Sequence, residues 1–152
     1  MPALTESELV ACCGSREWVR QMLERQPFAD AAEALEAADH IWRRLAPSDW
    51  LIAFAAHPRI GAKTGDTHAA REQWGVRDAS ADTLDRLAAG NRAYEAKFGY
   101  IYIVCATGKT ALEMLEILES RLRNDPDTEL RAAAEQQRQI MRLRLEKWLS
   151  AR

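Results

Sequence analysis

The sequence predicts an all-α fold: one compact multi-helix domain over residues 1–152, crossed by a short buried extended connector. Three observations predict it. Side chains that cap helices recur just ahead of apolar residues spaced three and four apart. Breakers separate these patterns. The chain also holds a single strand-like run, "IYIVC" at 101–105, with no second run to pair with.

The elements follow in order. Thr5 and Glu8 form a capping-box pattern before "LVACC". Ser15 is placed to cap a helix through Trp18, Met22 and Leu23. Asp30 and Glu33 make a second box, ahead of Leu35, Ala38, Trp42 and Leu45 on one face. Pro47 ends that helix or sits in the turn after it, and Ser48 is expected to cap the next. There Leu51, Phe54 and Ala55 share a face, and Pro58 should stop the helix at or near His57. "GAKTGDTHAA" reads as a loop, followed by a short helix from about Thr67 to Trp74. Ser80 caps a longer pattern with Leu84, Leu87, Tyr94 and Phe98 on one stripe, and Gly99 terminates it. After the connector, "TGKT" leads into a helix with Leu112, Leu115, Leu118 and Leu122. "NDPD" is a break, with Asp125 as cap and Pro126 at the first helical position of a last helix toward Trp148. The total is roughly seven or eight helices, without repeats or a domain linker.

Composition sets limits on function. The 152 residues are 47% hydrophobic and 29% charged, with a formal net charge of −2. Such a balance gives no general attraction to nucleic acid or to an anionic membrane. No apolar run approaches the length of a membrane span. The N-terminal residues lack the basic flank and apolar stretch of a signal peptide, and the terminal "LSAR" is no peroxisomal signal, so a cytoplasmic location is expected. Cys12 and Cys13 are adjacent and Cys105 stands alone. An odd count with a vicinal pair points to a reducing compartment, not a disulfide framework. No CxxC is present and the three histidines are scattered, so no metal site is expected.

A few polar residues stand out of pattern. Asn91 falls on the Leu87–Tyr94–Phe98 stripe, where capping a backbone group competes with a ligand role. Arg144 is flanked at helical spacing by Ile140, Met141 and Trp148. A buried guanidinium needs an anion, supplied by the protein or by a ligand. Arg142, among Arg138, Gln139 and Glu146, reads as solvated, and so do the alternating charges of "ESRLRNDPDTELR". His57 precedes Pro58 at a helix end, where it can serve the helix dipole or act as an acid/base group. Pro58 would hold the imidazole in place, and Arg59 and Lys63 could meet an anion. Glu72 could return toward His57 across the loop. "GKT" at 108–110 is not a phosphate loop: Ile103 stands where that motif needs glycine, and no parallel sheet is predicted.

Taken together, "HPRIGAK", "REQWGV", "NRAYEAKFGYIYIVCATGK" and "ESRLRNDPDTELRAAAEQQRQIMRLRLEKWL" resemble the 2-oxo-4-hydroxy-4-carboxy-5-ureidoimidazoline (OHCU) decarboxylase family of urate breakdown. The likeness runs from "DWLIAFAAHP" to the C-terminus; the N-terminal third matches mainly in pattern. The resemblance implies an all-α homodimer without metal or organic cofactor that converts OHCU, formed from 5-hydroxyisourate, to (S)-allantoin. It implies His57 as the catalytic histidine and Pro58 as a substrate contact. It places the family's Ser-x-x-Glu-Gln motif on Ala69 to Gln73, giving Glu72 and Gln73. The serine position is Ala69 here, with Thr67 and His68 as candidates to replace it. The Phe-(Ile/Val)-(Ile/Val)-Cys-Ala segment falls on Tyr102, Ile103, Val104, Cys105 and Ala106, and the helical arginine on Arg144.

The chemistry suits these residue types. A carbon that loses CO2 needs its electron-rich product stabilised and protonated on one face. His57 is assigned as general acid, and Glu72 accepts the substrate hydroxyl and steadies the histidine. Gln73 and the backbone N–H groups of 103–106 bind ureido and ring oxygens, and Arg144 pairs with a substrate oxygen. The expected partners are OHCU and a second copy of the chain. Two other readings compete: a non-catalytic all-α interaction domain, and a metal-dependent hydrolase using His57, His68 and Glu72.

Overall fold

The computed structural model describes residues 3–58 and 80–152. Among them are seven helices and no strand, as the sequence predicts: α1 (Glu6–Cys12), α2 (Arg16–Arg25), α3 (Ala31–Arg44), α4 (Pro47–Ala55), α5 (Ala81–Phe98), α6 (Ala111–Arg121) and α7 (Pro126–Ser150). None of them is long and apolar enough to cross a membrane. The helices sort into two compact units. The first contains residues up to Ala56 together with Gln137–Arg152; the second runs from His57 to Gln136.

In the first unit, local capping sets the helix starts. Thr5 and Glu8 exchange hydrogen bonds with each other's backbone N–H, a complete capping box. The Ser15 hydroxyl accepts from Trp18 N–H, and the Asp30 carboxylate from Glu33 N–H. The second box closes differently from expectation, because the Glu33 carboxylate accepts from Ala29 N–H, one residue before the cap. The Pro47–Ser48 expectation is corrected. Pro47 is the first residue of α4, where its missing N–H costs nothing, and Ala46 is the cap residue with no side-chain bond. Ser48 thereby falls inside the first turn.

The core of this unit includes Leu9, Trp18, Met22, Trp42 and Phe54, none more than 2% exposed. Its polar atoms find partners as burial demands. Trp18 Nε1–H donates to Ala38 C=O at 3.1 Å, and Trp50 Nε1–H to Trp42 C=O at 2.9 Å. Arg142 is not merely solvated. Asp39, buried on α3, accepts from Arg142 at 2.7 Å and from Arg138 at 3.2 Å. Gly14 lets the chain pass close to α4: a Cβ there would stand 2.6 Å from the Ala56 Cβ, the residue before His57.

In the second unit, α5 packs on α6. Ser80 caps α5, and Gly99 closes it in the left-handed region at φ 84. Leu87 and Tyr94 are buried on the predicted stripe and Asn91 is 4% exposed, whereas Leu84 is exposed. On α6, Met114, Leu115 and Leu118 are buried, but Leu112 is exposed. Leu84 lies in the first turn or so of α5, before its packed stripe begins, whereas Leu112 lies beside the buried face of α6, which starts at Ala111 and continues through Met114, Leu115 and Leu118. Residues 101–106 form no helix and no strand, and Tyr102 to Ala106 are buried. Asp125 caps α7 by accepting from Thr128 N–H, with Pro126 as its first residue.

The reading of "ESRLRNDPDTELR" as solvated surface is corrected by two of its charges. Arg121 is 7% exposed and Glu129 is 0% exposed, and they form a bidentate ion pair with a shortest contact of 2.5 Å. Asn124 donates to one Glu129 oxygen at 3.0 Å, and the Tyr94 hydroxyl donates to the other. Burial pulls the Arg121 guanidinium down, but the hydrogen bonds and charge of Glu129 overcome it and hold the guanidinium above its ordinary value. Burial and the bond to Glu129 push the Tyr94 phenol far up.

Removing one partner of such a pair strands a charge in the core. Arg121→Met is expected to destabilise the protein by about 3–5 kcal/mol in denaturant unfolding. Arg121→Met combined with Glu129→Leu should be more stable than Arg121→Met alone. A single substitution that leaves the midpoint unchanged would contradict this role for the pair.

Candidate functional site

The connector is held from one side by three side chains. Arg121 Nη1 donates to Ile103 C=O at 2.5 Å. Gln136 Oε1 accepts from Cys105 N–H at 2.8 Å. Lys109 Nζ donates to Cys105 C=O at 2.8 Å. Arg121 also lies over the Tyr102 ring, 5.0 Å from its centroid, and the Tyr102 hydroxyl donates to Met114 C=O at 2.8 Å. The Tyr102 side chain is therefore committed to the core, where burial raises its phenol pKa.

Ile103 gives its C=O, and Cys105 both its N–H and its C=O, to the protein, while the Ile103 N–H has no partner among the described residues. Among the described residues, Val104 has no hydrogen-bond partner for its N–H or its C=O, and Ala106 has none for its N–H. Both residues are at most 5% exposed. Buried backbone groups are almost always paired, so these unpaired ones point to a ligand. The expectation that all N–H groups of 103–106 are available is narrowed, because that of Cys105 is taken.

The segment ends in a turn. Lys109 N–H donates to Ala106 C=O at 3.0 Å, with Gly108 at φ 78 in the position that demands a positive φ. Thr110 and Glu113 then form a capping box that starts α6. "GKT" is thus a turn and a helix cap.

His57 follows the Ala56 cap of α4 at a bend; both it and Pro58 are half-buried. Glu72 and Gln73 lie outside the described residues, as do Arg59, Lys63, Thr67, His68, Ala69 and the short helix expected near Thr67 to Trp74. His57, Pro58 and the connector belong to the second unit. Arg144 belongs to the first, half-buried on α7, with Nη1 donating to Ala11 C=O at 3.3 Å near the end of α1. It is close enough to Cys12 and Cys13 for its charge to act on both thiols. Asn91 is buried as predicted. Its side chain caps no backbone group among the described residues. No group of three or more metal-binding side chains occurs among the described residues.

Comparison with known proteins decides the family. The profile for OHCU decarboxylase matches residues 3–146. The chain belongs to the OHCU decarboxylase family. It is 38% identical over 154 residues to a uric acid degradation bifunctional protein, TTL, of Arabidopsis thaliana, covering 95% of this chain and 47% of that protein. It is 31% identical over 86 residues to a 2-oxo-4-hydroxy-4-carboxy-5-ureidoimidazoline decarboxylase of Amia calva, covering 57% of this chain and 49% of that one. The chain thus spans about half the length of each of these relatives. A crystal structure of OHCU decarboxylase in the presence of (S)-allantoin superposes with a TM-score of 0.87 at 40% identity, covering 96% of this chain and 99% of that one.

Gln136, Lys109 and Arg121 are partners of the connector that sequence reading missed. Arg121 had a legible signal: it extends the Met114–Leu118 stripe of α6 at spacings of four and three. Gln136 had none.

The buried thiols give a pH prediction. Burial pushes Cys12 and Cys13 up from 9.0 to about 12, and Arg144 only partly offsets this. Below pH 9 both folded and unfolded thiols keep their protons. Above it the unfolded chain loses them first, so the folded state binds more protons and stability falls as pH rises toward 12. Tyr94 and Tyr102 act in the same direction. Thermal melts should show a loss of at least ~2 kcal/mol between pH 8 and 11. A flat profile over that range would contradict the burial of these thiols.

Proposed function

We propose that this chain decarboxylates OHCU to (S)-allantoin in urate degradation, without metal or organic cofactor. The observation that carries the reading is the likeness, over nearly the whole chain, to an OHCU decarboxylase crystallised in the presence of (S)-allantoin. The unpaired backbone groups of Val104 and Ala106 support it, since they lie in the segment that the family resemblance assigns to substrate.

In the proposed mechanism the bond between the ring carbon and its carboxylate breaks. Its electron pair moves toward the neighbouring C=N as CO2 leaves. His57 acts as general acid and protonates one face, which sets the handedness of the product. Pro58, by ending the chain's helical path, fixes the imidazole. Glu72 accepts the substrate hydroxyl and steadies His57, while Gln73 binds ureido oxygen. The N–H groups of Val104 and Ala106 donate to ring or ureido oxygens, in a buried setting where such bonds are strong. Arg144, anchored at the end of α1, pairs with a substrate oxygen. A homodimer in a reducing cytoplasm completes the proposal; the cysteines are free and buried, which accords with such a compartment.

His57→Ala is expected to keep the melting temperature and to lower OHCU turnover by about 10²–10⁴-fold. The allantoin formed should then be racemic. The measurement is circular dichroism of allantoin made from freshly generated OHCU. Stereospecific turnover at the unsubstituted rate would remove His57 from the mechanism.

A further inference from the structure

We infer that Gln136 is a positioning residue for the substrate-binding amides, acting through the connector; this rests on the decarboxylase reading above. Its Oε1 takes the Cys105 N–H at 2.8 Å, between the two neighbours whose N–H groups are unpaired, Val104 and Ala106. Arg121 holds the chain two residues earlier, at Ile103 C=O, and Lys109 holds Cys105 C=O from the following turn.

Three holds leave the segment little freedom to rotate its peptide planes: Arg121 holds the plane that carries the Val104 N–H, Lys109 the plane that carries the Ala106 N–H, and Gln136 the plane that joins them. If Cys105 N–H were released, that joining plane could turn, and the two flanking amides would lose their direction relative to each other. Gln136 suits this task physically. A carboxamide accepts one strong bond without bringing a charge beside the substrate. It stands on α7, 31 residues along the chain from Cys105, so the hold comes from a rigid helix and not from the connector's own turn.

Gln136 is half-buried, unlike Arg121, so its substitution should leave the fold intact. The test compares Gln136→Met, which removes the acceptor at similar size, with Gln136→Glu, which keeps an acceptor. OHCU kinetics are read at about 0.3 M salt to screen the added carboxylate. The amide exchange rate of Cys105 is read in parallel. Amides that bind ground state and transition state alike affect KM more than kcat. Gln136→Met should raise KM about tenfold, change kcat less than about threefold, and speed Cys105 exchange at least about tenfold. Gln136→Glu should restore both. An unchanged KM in Gln136→Met, or a Gln136→Glu protein that still exchanges fast at Cys105, overturns the inference. If the unsubstituted protein does not accelerate OHCU loss, the decarboxylase reading fails with it. The hold on Cys105 is then still judged by exchange, and equal exchange in Gln136→Met and the unsubstituted protein would refute it separately.

Discussion

The second unit depends on a charge that has been taken out of water. Arg121 and Glu129 are buried together, and the cost of removing two charges from solvent is large. It is tolerable here because the surrounding polar groups are arranged around the pair. Glu129 accepts from Arg121, Tyr94 and Asn124. Arg121 in turn donates to Ile103 and lies over the rings of Tyr102 and Tyr94. One ion pair thereby links α5, the connector, α6 and the first turn of α7. An apolar pair of similar volume could fill the space, but it could not hold a backbone carbonyl in place.

That hold is what permits a buried extended segment in an all-α unit. A lone strand without a sheet leaves backbone groups to be satisfied one at a time. Side chains do this at the Ile103 C=O and at the Cys105 N–H and C=O. The N–H groups of Ile103, Val104 and Ala106 are left open among the described residues. The apolar cluster of Leu87, Tyr94, Met114, Leu115 and Leu118 packs around the same segment and excludes water from it. An exposed version of these amides would spend its hydrogen bonds on solvent. In the proposed function, the buried, unpaired version serves as a preorganised donor set for the substrate's oxygens.

Much of this was legible in the sequence, for local reasons. Helix starts were read from Thr5, Ser15, Asp30, Ser80 and Asp125, because a cap and its N–H partner are only two or three residues apart. The isolated strand-like run stood out by having no mate. What escaped was set by distance along the chain. Arg121 and Glu129 meet across the Asn124–Pro126 break, and Asp39 meets Arg142 from 103 residues away. Sequence presents both arginines as members of charge runs. Glu129 did carry a signal, since Ala133 and Gln137 follow it at four-residue spacing and all three are 0% exposed. Leu84 and Leu112 mislead in the opposite sense: periodicity alone tells neither where on a helix packing begins nor how wide the buried face is. Of the site residues named by family resemblance, the connector is now given a bonding pattern and Arg144 an anchor at Ala11. His57 is placed at the end of α4, while Glu72 and Gln73 lie outside the described residues.

The central claim is that the buried pair and its neighbours hold the connector so that the Val104 and Ala106 amides face the substrate of the proposed reaction. Backbone amide NMR during titration with (S)-allantoin tests it most directly. The account predicts that the Val104 and Ala106 amide resonances shift on binding, while Cys105, already donating to Gln136, moves much less. Shifts centred on Cys105, or binding that leaves Val104 and Ala106 unmoved, would contradict it.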